Sequence, residues 1–121
     1  MYINCHTYYS LRYGTIKPEH LLAIAMKNSL KTIALTDINN TSACLDFVRL
    51  SKKYKIKPVL GVDFRNRTQQ QFILIAKNNN GFYNINTYLS KFLHKTSSNC
   101  GSILNRTQVN NTFQLILSYI S

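Results

Sequence analysis

Acidic side chains are scarce. Only Glu19, Asp37, Asp46 and Asp63 stand against fifteen Lys and Arg in 121 residues. Cysteine is scarce too, at positions 5, 44 and 100. An odd count without a C-x-x-C pair excludes a disulfide scaffold and a zinc finger, and fits reduced thiols in the cytoplasm. Long apolar runs are missing: Phe72–Ala76 is among the longest, far short of the ~20 residues of a bilayer-spanning helix. The amino terminus, Met1-Tyr2-Ile3-Asn4-Cys5-His6, lacks a basic segment followed by an apolar stretch, so no secretory signal is expected. Internal repeats are absent as well.

What is present is a globular composition with a lopsided charge. Apolar residues make up 45%, which argues against wholesale disorder. The length suits one domain. Residues 1–48 carry four basic and three acidic groups, whereas residues 49–121 carry eleven and one. A basic half of this kind attracts polyanions, so a small nucleic-acid-binding module is one reading. The bland alternative is a Lys- and Asn-rich composition or a place in a larger assembly. No aromatic- or Arg-rich binding motif accompanies the charge.

Strand and helix signals alternate. Tyr2–Cys5 is a short β-prone run. Pro18 and Glu19 suit the first turn of a helix over 18–29. Thr32–Thr36 reads as a buried strand. Asn39-Asn40-Thr41-Ser42 supplies a loop and an N-cap for a helix over 42–54, with Cys44, Leu45, Phe47, Val48 and Leu50 facing inward. Pro58–Phe64 and Phe72–Ala76 read as strands separated by a polar turn, Arg65–Gln71. A third helix over 81–93 presents Tyr83, Ile85, Tyr88, Leu89 and Phe92. Lys95–Asn105 reads as a loop, Thr107–Asn111 as a short helical turn, and Phe113–Tyr119 as a last strand. The alternation predicts an α/β fold with one largely parallel sheet. A last strand without a following helix suggests a fragment of a larger alternating architecture.

Four segments carry the chemical interest, Asn4–Ser10, Leu35–Asn40, Lys57–Phe64 and Phe72–Asn78, and the first three put polar groups just past a strand, where α/β folds build sites. The segments HTYYSLRYGTIKPEHLLAIAMKNSLKTIALTD, DFVRLSKKYKIKPVLGVDF and FILIAKNNNGFYNINTYLSKF, in this order, resemble the PHP (polymerase and histidinol phosphatase) domain that opens bacterial DNA polymerase III alpha subunits. The resemblance implies that residues 1–121 are the N-terminal portion of such a domain. Its fold would be a partial TIM-like, PHP-type barrel with mostly parallel strands alternating with helices.

The resemblance also implies a divalent-metal site, with Zn, Mn or Mg, in which this sequence departs from the family. The positions matching ligands in this half are Asn4, His6, Tyr13, Ile38, Asp63 and Gln71. Only His6 and Asp63 keep a ligand-type side chain, and Ile38 cannot coordinate a metal. Taken alone, His6 is more often a hydrogen-bonded histidine than a ligand, and Asp63 more often a loop-capping carboxylate. Cys5, beside His6, fits better as a small buried side chain. The expectation is a degenerate site without cofactor or catalytic residue, in a segment inactive by itself.

The parent chain would be a DNA-directed DNA polymerase, a nucleotidyltransferase of replication. The segment would act as a scaffold docking a proofreading exonuclease and other replicase subunits, meeting DNA only through the parent enzyme and having no membrane contact. The alternative is a metal-dependent phosphoesterase or 3′–5′ exonuclease. Half a barrel leaves open strand edges and an apolar inner face, so the segment is expected to self-associate or to cover that face itself.

Overall fold

The computed structural model describes residues 2–94 in full and the backbone of 113–116. The strands are β1 (Tyr2–Cys5), β2 (Thr32–Ile38), β3 (Lys57–Asn66), β4 (Gln69–Ala76) and β5 (Phe113–Ile116). The helices are α1 (Pro18–Lys27), α2 (Cys44–Lys53) and α3 (Asn79–His94). The expected loop at 95–105 and helical turn at 107–111 lie outside the described residues, as do positions 117–119 of the last strand.

Helices α1 and α2 end in the same way. Ser29 and Lys55 take left-handed conformations, with φ 55 and 53°. Behind them Leu30 N–H bonds to the Ala25 carbonyl at 2.9 Å, and Ile56 N–H to the Ser51 carbonyl at 3.1 Å. Each is a Schellman stop, with an apolar residue just past the turn packed back on the core. The chain then enters β2 or β3 directly. The N-cap expected from Ser42 and its neighbours is not made. Residue Ala43 precedes α2 without a side-chain cap, and Thr41 Oγ1 instead donates to Asn86 Oδ1 of α3 at 2.8 Å.

All five strands form one sheet in the order β1-β2-β3-β4-β5. The expectation of a largely parallel sheet holds for β1–β2 and β2–β3. It fails for β3–β4 and β4–β5, which are antiparallel. For β3–β4 the physical reason is the length of the two strands. They run through the polar residues at 65–66 and 69–71, leaving only Arg67 and Thr68 to turn, and a turn so short can join only antiparallel strands. Arg67 meets the turn's demand with φ 56°. The hairpin is also bulged: Phe64 pairs with Phe72 but Arg65 with Gln70, so the ladder skips Gln71.

Leu60, Val62 and Phe64 alternate onto the helical face of β3. Leu60 packs against a cluster built by Leu21, Leu22, Ile33, Leu35, Phe47 and neighbours under α1 and α2. Val62 and Phe64 join Phe72, Leu74, Ile85, Tyr88 and Leu89 under α3. Phe64 stacks on Phe72 at 5.0 Å and meets the edges of Tyr88 and Phe92. The three helices among the described residues thus cover one face of the sheet, the outer face of a partial barrel. Leu45, expected to face inward, is 79% exposed, and Tyr83, expected among the apolar positions of the third helix, is 71% exposed. Each sits one position off its helix's buried stripe. The opposite face presents Ala34, Thr36, Gly61, Asp63, Ile73 and Ile75, all buried.

Candidate functional site

The parallel order of β1, β2 and β3 brings their carboxyl ends together. Asp37, fully buried near the end of β2, organises the loop after β1. Its Oδ1 accepts the Thr7 N–H at 2.6 Å and the Ser10 hydroxyl at 2.8 Å; its Oδ2 accepts the Thr7 hydroxyl at 2.7 Å. Ser10 Oγ in turn accepts the Ile38 N–H at 2.9 Å. A buried carboxylate that accepts several hydrogen bonds holds its donors in fixed positions. Gly14 closes the same loop, and any Cβ there would collide with the Thr7 carbonyl.

Thr7 is thereby pinned, and its neighbour His6 is aimed at Asp63. His6 Nε2 lies 3.1 Å from Asp63 Oδ2. The same oxygen accepts Arg65 Nε at 3.2 Å, Arg65 Nη2 at 2.9 Å and Gln70 Nε2 at 2.8 Å. Asp63 Oδ1 is buried and has no hydrogen-bond partner among the described residues. Burial, the largest single influence, pushes the Asp63 carboxyl up. The hydrogen bonds from His6, Arg65 and Gln70 and the Arg65 charge outweigh it, and the net direction is below the ordinary carboxylate value.

Arg65 is itself held on three sides. Asn39 Oδ1 accepts its backbone N–H at 2.8 Å, and Asn39 Nδ2 donates to its carbonyl at 2.8 Å. The face of Tyr13 lies 4.9 Å from the guanidinium carbon, a cation–π contact.

The six ligand-matching positions divide accordingly. His6 and Asp63 touch. Tyr13 reaches the group only through Arg65. Ile38 is the register partner of Asp63 and brings a hydrocarbon to the site. Asn4 lies apart, its Oδ1 accepting from Thr36 Oγ1 at 3.0 Å. Gln71 also stays out, its amide turning back to the Gln69 carbonyl. The bulge delivers Gln70 in its place. Sequence reasoning missed Arg65 and Gln70, which fall in a stretch read as a turn. Asn39 lies in the segment 35–40 singled out past β2, but sequence reasoning gives it no role. Cys5 packs half-buried on the core rather than beside a ligand, and burial pushes its thiol up. Burial, with the Asp37 charge, pushes Cys44 up to about 12, which leaves that thiol protonated at neutral pH.

Divalent metals need several His or carboxylate donors with free lone pairs. Among the described residues no group of three or more His, Cys, Asp or Glu is placed to hold an ion. His6 Nε2 and a cationic guanidinium already sit on Asp63 Oδ2, and of that carboxylate only Oδ1 is without a partner among the described residues. The residues present do not fit a metal cluster.

No helix among the described residues is long and apolar enough to cross a membrane. The family model described as PHP domain matches residues 3–118. A DNA polymerase III subunit alpha from Mycoplasma genitalium is 33% identical over 91 residues, covering 71% of this chain and 10% of the relative. One from Ureaplasma parvum is 31% identical over 80 residues, covering 66% and 8%. The chain therefore spans a tenth or less of the length of these relatives. Among solved structures, a Bifidobacterium adolescentis protein assigned as a metal-dependent phosphoesterase superimposes with a TM-score of 0.57 at 19% identity, covering 74% of this chain and 32% of that one.

Proposed function

The chain belongs to the PHP-domain family, and we propose that it is the PHP part of a DNA polymerase III alpha-type replicase subunit, serving as a scaffold rather than a hydrolytic centre. The similarity to polymerase alpha subunits supports the replicase assignment. The observation that carries the scaffold role is the occupation of Asp63 Oδ2: His6 and Arg65 both bond to it, and the guanidinium puts a positive charge where a metal would need the carboxylate. Asn4, Tyr13, Ile38 and Gln71 are then degenerate ligand positions. Nucleotide transfer belongs to the rest of such a subunit, and the scaffold docks other replicase subunits, a proofreading exonuclease among them. The setting is cytoplasmic replication. Taken alone, the segment self-associates or covers its own inner face, which light scattering reads directly.

The likeness to a metal-dependent phosphoesterase favours a second reading, a hydrolytic one. One assay separates the two: hydrolysis of a model phosphodiester and of single-stranded DNA with Mn²⁺ or Zn²⁺ added. Background rates are expected. Turnover that disappears in His6→Ala would establish the hydrolytic reading instead. The replicase assignment is tested in the gene: an open frame of polymerase length running on past Ser121 supports it, and a stop codon there overturns it.

A further inference from the structure

The group around Asp63 has the layout of a cation site with the cation already supplied by the chain. One carboxylate oxygen gathers His6 from the end of β1, Arg65 from β3 and Gln70 from β4. The Asp63 side chain is 0% exposed and that of Arg65 only 15%. An exposed pair of this kind contributes little, whereas a pair buried to this degree becomes costly to break, because the carboxylate left behind keeps only the hydrogen bonds from His6 and Gln70 and loses its counter-charge. The surface pairs Arg49–Asp46 and Lys53–Glu19 show the contrast, with side chains 48–81% exposed.

The rest of the site is shaped to a guanidinium. Nε and Nη2 both point at Asp63 Oδ2, and the flat face lies over Tyr13. A planar fork with a weakly hydrated face meets both demands together; an ammonium meets only the charge. The backbone that carries it is fixed by the Asn39 amide from the end of β2. The ends of β1 and β2 and the start of β4 thus each place a group at the Asp63–Arg65 pair of β3: His6, Asn39 and Gln70.

We propose that Arg65 is a built-in cation that ties together the carboxyl ends of β1, β2 and β3, making the rim independent of metal ions and leaving a guanidinium-sized cation site when its side chain is removed. It shares with the scaffold reading only the occupation of Asp63. Its test reads stability, so hydrolysis could be found with this inference intact, or excluded with it overturned.

The test compares thermal midpoints of the full chain, Arg65→Ala and Arg65→Lys, each with EDTA, with Mn²⁺ or Zn²⁺, and with millimolar guanidinium chloride against sodium chloride at equal ionic strength. The unsubstituted chain should be indifferent to all additions. Arg65→Ala should lose about 4 °C or more, with at least half recovered in guanidinium and none in sodium. Arg65→Lys should fall between the two. An Arg65→Ala chain as stable as the parent, or one that guanidinium fails to restore, overturns the proposal, as does a parent stabilised by metal. Should Arg65→Ala not fold, NMR of the unsubstituted chain decides. A slowly exchanging Arg65 Nε–H supports the proposal, and one exchanging as fast as that of exposed Arg49 overturns it.

Discussion

Asn39 extends the β2–β3 ladder with its side chain. The strand β2 ends at Ile38, opposite Asp63. Asn39 then turns into the left-handed region, at φ 51°, while its N–H still reaches the Asp63 carbonyl at 3.0 Å. Its amide pairs with both backbone groups of Arg65, as a strand residue would. One side chain thereby carries the parallel pairing a step beyond the strand's own end.

Replacing Asn39 should therefore be costly for two separable reasons. Asn39→Gly keeps the backbone conformation but leaves two half-buried backbone groups without partners, a loss of about 1–3 kcal/mol. Asn39→Ala adds the left-handed penalty, roughly a further 1–2 kcal/mol. Urea unfolding of both variants checks the order; equal stabilities would show that conformation contributes nothing.

Asp63 predicts an acid-side loss of stability. Its folded carboxyl lies below the ordinary value, so the unfolded chain binds the proton more readily. The stabilisation is complete above the unfolded value of about 3.9 and is lost as pH falls through the lower folded value. Asp63→Asn should be less stable at pH 7, and its urea midpoint should fall less between pH 5 and pH 3. Parallel curves would remove Asp63 from the acid response.

Gly61 marks a close approach between strands. A Cβ there would collide with the Leu74 carbonyl and lie 3.1 Å from the Thr36 methyl carbon. Gly61→Ala should cost about 1–3 kcal/mol by overpacking, with β3–β4 amide protons exchanging faster. A variant as stable as the parent would mean that the ladder shifts to make room.

Restoring one ligand type should not restore chemistry. Ile38→His places an imidazole opposite Asp63 but leaves Arg65 on the carboxylate. Phosphodiester hydrolysis with Mn²⁺ or Zn²⁺ should stay at background. Metal-dependent turnover in this single variant would show that the guanidinium yields to an ion.

Much of the architecture was legible because the signals are local. Tyr2–Cys5 is a strand as its β-prone run predicts, and Pro18 starts α1. The antiparallel half of the sheet was not legible, because polar residues at 65–66 and 69–71 look like a loop until paired with each other. At the site, His6 and Asp63 could be matched to family positions, and the structure joins them. Arg65 could not be found in this way, since its role comes from facing Asp63, Tyr13 and Asn39 in space. Parity along β4 from Ile73 and Ile75 selects Gln71, and the bulge shifts that parity by one residue to select Gln70.

That bulge leaves the hairpin one residue longer than its hydrogen-bonded ladder requires. Chain length is therefore negotiable at Gln71 as it is nowhere else in β4. Losing that residue lets Gln70 meet Arg65 in unbroken alternation while Phe72, Leu74 and Ala76 keep their face. Losing Leu74 would turn every residue between it and the turn to the wrong side. A one-residue deletion is thus accommodated at Gln71, beside the Asp63 group and not inside it.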